Sequence, residues 1–341
     1  MHVMGWKRSG LPLCLLSVWL SQGAPASADP IETEGLGLPL VCAIGQTCWV
    51  ANYVDVDSSV EARDFRCNRR TYDGHDGTDF AIRDLAVMAQ GVPVVASVPG
   101  TVKNVRDGMQ DVALTDEASR KRIAGRECGN GVVIDHEGNW QTQYCHLKEG
   151  SITVKAGDKV ERGGQLGLVG LSGKTEFPHV HLTVRKDGKA IDPFTNRQMS
   201  AGCGKDGKPL WRADQHVEYE PVSLYNVGFA TGKPDIEAIR SGKRAEGPFP
   251  ATAPALVLWA DILGVEAGDR LLFRIINGDG KVVFNREEQI ERTQARRFTF
   301  AGGRPKTDGW PAGTYTGQVT LTRTVEGKEI KRDISRTVTV Y

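Results

Sequence analysis

Two short segments of this sequence carry histidines and an aspartate in a pattern that could bind a metal ion. In Pro178-His179-Val180-His181 the histidines are two residues apart, so on a β-strand their side chains point to the same face. His75-Asp76-Gly77-Thr78-Asp79, about a hundred residues earlier, supplies a further histidine and aspartate. Two histidines and one carboxylate around Zn²⁺, with the fourth position left to water, form a catalytic rather than a structural zinc site. The pattern therefore predicts a zinc hydrolase.

The elements that must hold the first pair are a loop and a strand. Gly74 and Gly77 bracket His75, and Phe80-Ala81-Ile82 is typical of a strand. We therefore expect His75 and Asp79 on a loop that runs into a strand, although their spacing of four would also suit one face of a helix.

The second pair is expected on a half-buried strand. Pro178 rigidifies the approach to His179. Leu182 and Val184 alternate with His181, so they would point to the opposite face and pack into a core.

A hairpin is expected to hold another histidine close by. Residues 131–134 and 140–144 flank a turn, which would place Cys128 and Cys145 opposite each other and favours a disulfide. His146 follows directly, so this bond would fix the end of the strand that carries it.

Whether the other cysteines form disulfides depends on the compartment in which the chain resides. Lys7-Arg8, the apolar run 11–20 and Ala26-Ser27-Ala28 are typical of a secretory signal cleaved before Asp29. A retained membrane anchor is the alternative, but this run is too short to span a bilayer. Cys14 would leave with the signal.

Six cysteines then remain, and an even number in an exported chain favours disulfides. Besides the hairpin pair, Cys42, Cys48, Cys67 and Cys203 allow three pairings, between which the sequence does not choose. A cysteine metal cluster is the weaker alternative, because no spacing is Cys-x-x-Cys.

The charge balance excludes one class of partner. The chain has 43 Lys+Arg against 42 Asp+Glu, so no global basic field favours nucleic acid. No run outside the signal is apolar enough to predict a membrane span.

Turn residues at short intervals between β-branched runs predict an all-β chain of two domains. We expect a signal peptide at 1–28, a β-rich zinc hydrolase domain at 29–203, a linker at 204–218 and an immunoglobulin-like β-sandwich at 219–341. Candidate strands in the first domain include 91–98, 101–105, 151–154 and 165–170. The sandwich would use seven strands, near residues 222–227, 256–262, 271–276, 282–284, 297–300, 315–323 and 330–340. Trp259 and Trp310 are expected in its core.

The order of the elements resembles a known family. His-x-x-x-Asp, then Tyr-x-His-Leu, then Val-Gly-x-x-Gly and Pro-His-x-His follow one another as in the lysostaphin-type (LytM-like) zinc metallopeptidases. The resemblance covers roughly residues 70 to 195. It implies hydrolysis of peptide bonds in the stem or cross-bridge of bacterial peptidoglycan.

The resemblance also implies a role for each residue. His75, Asp79 and His181 would ligate zinc, and His146 and His179 would be catalytic. Zinc lowers the pKa of water and polarises the scissile carbonyl. One of the two catalytic imidazoles would accept a proton and the other would stabilise the oxyanion, with the assignment left open.

Departures from the family lie beside the cleft. Thr175-Glu176-Phe177 stands where small residues are common, and Cys145 replaces the usual glycine. Tyr72 is a possible further oxyanion donor. Residues 42–70 match the family poorly and could inhibit the enzyme.

The leading hypothesis is a periplasmic or secreted zinc endopeptidase that cuts peptidoglycan peptides. The alternatives are a non-enzymatic regulator of other cell-wall hydrolases, which would lack a ligand, and a zinc protease that acts on proteins. No ligand is missing from the sequence. The C-terminal domain could bind the wall or a protein partner, or shield the cleft.

Overall fold

The computed structural model describes residues 1–5, 29–114, 116–117, 121, 123–204, 207–243, 246–306, 308–325 and 327–341. The predicted signal peptide, with Cys14 and its cleavage site, falls almost entirely on residues 6–28, outside the described residues. Among the residues that are described, no helix is long and apolar enough to cross a membrane.

The first half of the chain forms short strands with little helix. In chain order its elements are α1 (Pro30–Glu34), β1 (Cys48–Asn52), β2 (Thr78–Ile82), α2 (Leu85–Gln90), β3 (Pro93–Val95), β4 (Gly100–Arg106), β5 (Asn130–His136), β6 (Trp140–Leu147), β7 (Lys159–Val160), β8 (Gln165–Leu168), β9 (His179–Lys186), β10 (Lys189–Asp192) and β11 (Arg197–Gln198). Short 3₁₀ turns occupy Glu137–Asn139 and, farther along, Ala213–Gln215.

These strands build one main antiparallel sheet. Within the described residues its order is β1-β2-β9-β6-β5-β4-β7, with β10 and β11 attached beyond β9, while β3 pairs with β8 separately. The central strand β9 is buried at six successive residues. Its alternation places Val180, Leu182 and Val184 in the core and leaves His179 and His181 on the other face.

The second half contains the seven strands expected of a sandwich. They are β12 (Ser223–Ala230), β13 (Leu256–Val265), β14 (Arg270–Asn277), β15 (Val282–Gln289), β16 (Gln294–Gly303), β17 (Gly313–Val325) and β18 (Lys328–Val340), with the short helix α3 (Ile236–Arg240) after β12. In the described part of the chain they form two sheets, β12-β13-β16 and β15-β14-β17-β18, around a separate apolar core. Trp259 and Trp310 are both buried there, as predicted.

One predicted strand is absent. Residues 151–154 are expected to be extended and paired, but the backbone makes a single bond to β8, from Thr153 N–H to the carbonyl of Leu166. The hydroxyl of Ser151 instead donates to the carbonyl of Lys148, which closes a local turn.

The segment expected to be a linker is packed in part. Leu210 and Trp211 are buried in the first core, and Leu210 N–H donates to the carbonyl of Pro193. The domain boundaries at 203/204 and 218/219 stay a prediction.

A buried arginine joins the two halves. Arg70 is 2% exposed, and its guanidinium donates to the carbonyls of Val50 and Ala51 in β1 and to that of Leu263 in β13. Gly264, at the end of β13, has a left-handed φ of +73°, and a Cβ there would clash with the guanidinium of Arg70. The sandwich therefore packs against the sheet edge that begins with β1.

Three disulfides resolve the pairing that the sequence left open. Cys42 is bonded to Cys48, Cys67 to Cys203 and Cys128 to Cys145. The Cys67–Cys203 bond joins residues 136 apart in the sequence, which ties the loop before β2 to the end of the first half.

Of the three disulfides, the Cys67–Cys203 bond should contribute most to the free energy of unfolding. In the chain-entropy model, a crosslink over 136 residues contributes about 5 kcal/mol, and one over 6 residues contributes about 2 kcal/mol. We expect the double variant Cys67→Ser, Cys203→Ser to unfold at a clearly lower urea concentration than the control Cys42→Ser, Cys48→Ser. Equal unfolding midpoints for the two double variants would contradict this expectation.

Candidate metal centre and active site

Strand register brings three predicted ligands together. Asp79 in β2 lies directly opposite His181 in β9, and His75 reaches the same point from the loop before β2. Asp79 Oδ1 lies 2.8 Å from His181 Nδ1 and 3.1 Å from His75 Nε2, and the two ring nitrogens are 3.1 Å apart. Tetrahedral zinc with bonds of about 2.0 Å spaces its ligand atoms by about 3.3 Å, so the three atoms are close to such a face.

In each ring, the inner nitrogen faces Asp79 and the outer nitrogen points away from it. The hydrogen-bond partner of the outer nitrogen determines which of the two carries the proton. His75 Nδ1 lies 2.6 Å from the carbonyl oxygen of Tyr53, and His181 Nε2 lies 3.2 Å from Asp76 Oδ1. Both of these oxygens only accept, so the outer nitrogens carry the protons. In the neutral rings, two inner lone pairs then face one carboxylate oxygen. Three converging lone pairs suit a cation and repel one another without one, so these residues fit a metal ion.

Asp79 is held as a buried carboxylate. It is 2% exposed, and its second oxygen accepts a 2.8 Å hydrogen bond from the side-chain amide of Asn52. Burial alone would raise the pKa of Asp79, but the charges of His75 and His179 outweigh this and hold the pKa well below its ordinary value. The third ligand is therefore ionised over the physiological range.

Asp76 is a site residue to which the sequence analysis assigned no role. Its carboxylate lies between His181 and the guanidinium of Arg185, 2.9 Å away. Burial opposes ionisation of Asp76, but the hydrogen bond and charge of His181, with the charge of Arg185, lower its pKa to about 2. One sequence feature is consistent with this role: His181 and Arg185, the two partners of Asp76, are an even number of residues apart and so share one face of β9.

The two carboxylates create a negative potential at His181. Burial disfavours a charged ring there, yet hydrogen bonds with Asp76 and Asp79 raise the pKa of His181 to about 9. A position that stabilises a proton this strongly also stabilises a metal cation.

Gly77 is required by this packing. A Cβ on residue 77 would lie 2.5 Å from His181 Nε2 and 2.6 Å from the carbonyl oxygen of Leu182. Any side chain would therefore push the ligand ring away from Asp79.

The other two predicted histidines lie beside the three ligands. The rings of His146 and His179 have centroids 4.7 Å apart, and His179 Nε2 is 3.4 Å from Asp79 Oδ1. His146 Nδ1 donates to the carbonyl of Ser172, and His179 Nδ1 donates to that of Phe177. In both neutral rings the proton is thus on Nδ1, which leaves Nε2 as the reactive atom.

His146 is held in an unusual conformation. Its φ is +63°, a left-handed value that is rare for a residue other than glycine. Its N–H donates to the carbonyl of Cys128, and the Cys128–Cys145 disulfide clamps the same point. Burial, followed by the charges of His179 and His181, holds the pKa of His146 well below its ordinary value. Backbone strain at a buried neutral imidazole is typical of a functional position.

The cleft over these residues has two compartments. One, of about 270 Å³, is lined by His75, His146 and His181, and the other, of about 310 Å³, is lined by Asp79 and His179. The candidate metal site therefore lies between two separate spaces.

Tyr72 and Lys174 line both compartments. The ring of Tyr72 packs 4.5 Å from that of His75, and burial with the charge of Asp79 raises its phenol pKa above the ordinary value. Its O–H is therefore protonated and can donate at the centre of the cleft.

The remaining described histidines lie away from this site. His2 and His216 are exposed, and His136 bonds to the carbonyl of Pro99, just before β4, and to the hydroxyl of Thr142 in its own hairpin. The roles assigned to the four site histidines and to Asp79 stay predictions.

The part of the chain that holds the site is similar to known proteins. Residues 73–193 match the model of Peptidase family M23. The peptidoglycan DD-endopeptidase ShyA of Vibrio cholerae is 34% identical over 132 residues, which cover 38% of this chain and 25% of that protein. A Haemophilus influenzae protein described as an uncharacterized metalloprotease is 33% identical over 130 residues, 38% of this chain and 22% of its own length. The chain thus spans at most a quarter of the length of these two curated relatives.

Solved structures include similar chains. The catalytic domain of the prophage-encoded M23 protein EnpA from Enterococcus faecalis is 30% identical, with a TM-score of 0.27, over 36% of this chain and 78% of that one. The catalytic domain of the antimicrobial peptidase lysostaphin from Staphylococcus simulans is 21% identical, with a TM-score of 0.27, over 42% of this chain and 86% of that one. The stretch that matches Peptidase family M23, residues 73–193, contains all five candidate site residues, His75, Asp79, His146, His179 and His181.

Proposed function

We propose that the chain is an exported zinc metalloendopeptidase that hydrolyses peptide bonds in peptidoglycan. The observation that carries the proposal is that one ring nitrogen of His75, one of His181 and a carboxylate oxygen of Asp79 converge on a single point. Two further imidazoles lie beside them. The relative named as a peptidoglycan DD-endopeptidase supports the choice of substrate.

Zinc held by His75, Asp79 and His181 would supply a Lewis acid that polarises a peptide carbonyl and makes water more acidic. The chain's own residues do the rest. A neutral Nε2 at His146 or His179 accepts a proton, and the other ring, protonated on that atom, donates to the oxyanion. Outer bonds to the carbonyls of Ser172 and Phe177 keep both rings in position.

Export is supported by the covalent structure. Three disulfides persist only in an oxidising compartment, which fits the signal expected before Asp29. A periplasmic or secreted location also brings the enzyme to its substrate.

The two alternatives are weaker. A non-enzymatic regulator does not need three ligands with their outer partners in place, and all of them are present here. A zinc protease acting on proteins would use the same centre, so the substrate assay must include a protein.

The deciding experiment uses the mature chain from Asp29, with its disulfides formed, on purified sacculi and on casein. We expect loss of cross-linked muropeptides by mass spectrometry, blocked by a zinc chelator, and no cleavage of casein. Cleavage of casein alone would replace the proposed substrate, and no cleavage of either would favour a regulator.

The first prediction concerns a ligand. His181→Ala should lower bound zinc to well under one per chain and reduce hydrolysis by more than about 100-fold, the upper range for loss of a ligand's outer partner alone. Zinc content by atomic emission and muropeptide release measure both effects. His216→Ala, an exposed histidine, is the matched control and should behave as wild type. Full zinc and full activity in His181→Ala would contradict the proposed ligand set.

The second prediction concerns Asp76. Asp76→Asn removes the charge that orients His181, so zinc affinity should fall by about 10- to 100-fold, with activity restored at higher zinc concentration. A competition titration with a chelating dye measures the affinity. Asp73→Asn removes the same charge from an exposed residue of the same compartment. If both variants bind zinc as wild type does, Asp76 does not position the ligand.

A further inference from the structure

The compartment on the His179 side of the cleft is not built by the peptidase half alone. Asp79 and His179 lie at its inner end, while Leu114, Phe177 and Ala295 supply apolar lining. Ala295 belongs to β16, in the sandwich. The C-terminal half therefore contributes a wall to a space that opens directly onto the candidate metal centre.

Phe177 is held between the two halves. One contact of its ring is with the imidazole of His179, at a centroid distance of 4.8 Å, and the guanidinium of Arg296 lies 5.6 Å from its centroid. Such a cation–π contact favours one ring position. Arg296 is itself fixed by Asp261, at 2.7 Å, and by the hydroxyl of Tyr225, at 2.8 Å.

Leu114 reaches the compartment from the insertion between β4 and β5. Its N–H donates to the carbonyl of Thr175, and Asp111 accepts a 2.6 Å bond from the N–H of Leu171. The described residues 107–114 are thus anchored over the loop that leads to His179. Leu114 is buried, so this part of the wall is also fixed.

We propose that this compartment binds a short aliphatic side chain of the substrate peptide on the His179 side of the scissile bond, and that Ala295 and Phe177 set the permitted size. The inference rests on the proposed function. Its inner carboxylate, Asp79, is committed to the candidate metal site, and the other charged lining residues, Lys174 and Glu176, are exposed to water. A charged substrate side chain that reached the inner end would therefore lose its water without gaining a buried partner. An uncharged chain loses nothing on entry and gains apolar contact.

The limit on the size of the substrate side chain comes from the wall that the sandwich provides. Ala295, an exposed residue at the start of β16, lines the space with a single methyl group, so a larger side chain there can take up part of the volume beside Phe177. The sandwich then selects the substrate as well as covering the sheet edge.

The experiment uses the full mature chain and a purified cross-linked muropeptide as substrate. Ala295→Phe should lower kcat/KM by at least about 10-fold, mainly through KM, with zinc content and unfolding midpoint unchanged. Gln294→Phe is the matched control, because that exposed neighbour lies on the other face of the same strand and should keep wild-type kinetics.

A second variant in the other half keeps the test decisive. Phe177→Ala enlarges the compartment, so synthetic peptides with leucine in place of alanine on this side should gain relative to the alanine peptides. An unchanged ratio of the two kcat/KM values, or Ala295→Phe kinetics equal to those of Gln294→Phe, would overturn the inference while the proposed function stands. A wild-type chain that cleaves no peptidoglycan substrate overturns both.

Discussion

The rest of the structure depends on one electrostatic constraint, the burial of a carboxylate among imidazoles. Asp79 is ionised and almost inaccessible to water. Its negative charge must therefore be compensated by hydrogen-bond donors or by a cation. Asn52 donates to one oxygen, and the other faces the inner nitrogens of His75 and His181. This requires β2 and β9 to pair in a single register, because a slip of one residue would turn His181 into the core.

A second constraint acts on the neighbouring strand. His146 must present Nε2 to the same centre from β6, and it does so with a left-handed backbone. That conformation is costly for a residue with a Cβ, so the surroundings must enforce it. Here the Cys128–Cys145 bond and the carbonyl of Cys128 do so from one side, and Ser172 holds the ring from the other.

Local patterns predict the elements well and the long-range partners poorly. The alternation in β9 identified which residues face the core, and the seven strands of the sandwich were visible as β-branched runs between turns. Asp76 and Asn52 were not recognised, because their partners lie on other strands and no spacing along the chain encodes such a contact. The same holds for Cys67 and Cys203, whose pairing depends on a proximity that only the folded chain creates. The absent strand at 151–154 shows a local side-chain bond prevailing over β-propensity.

Arg70 connects β1, next to the candidate metal site, with the sandwich. Its guanidinium is fully buried and is satisfied by backbone carbonyls of β1 and β13 and by the hydroxyl of Ser223. Separating the halves would break the guanidinium's bonds to the carbonyl of Leu263 and the hydroxyl of Ser223, and each lost hydrogen bond to a charged group costs about 1.5–3 kcal/mol. The two halves are therefore held in one arrangement, and β1 pairs with the strand that carries Asp79. A wall supplied by the sandwich is then as fixed relative to the metal centre as one supplied by the peptidase half, which is what selection by size requires.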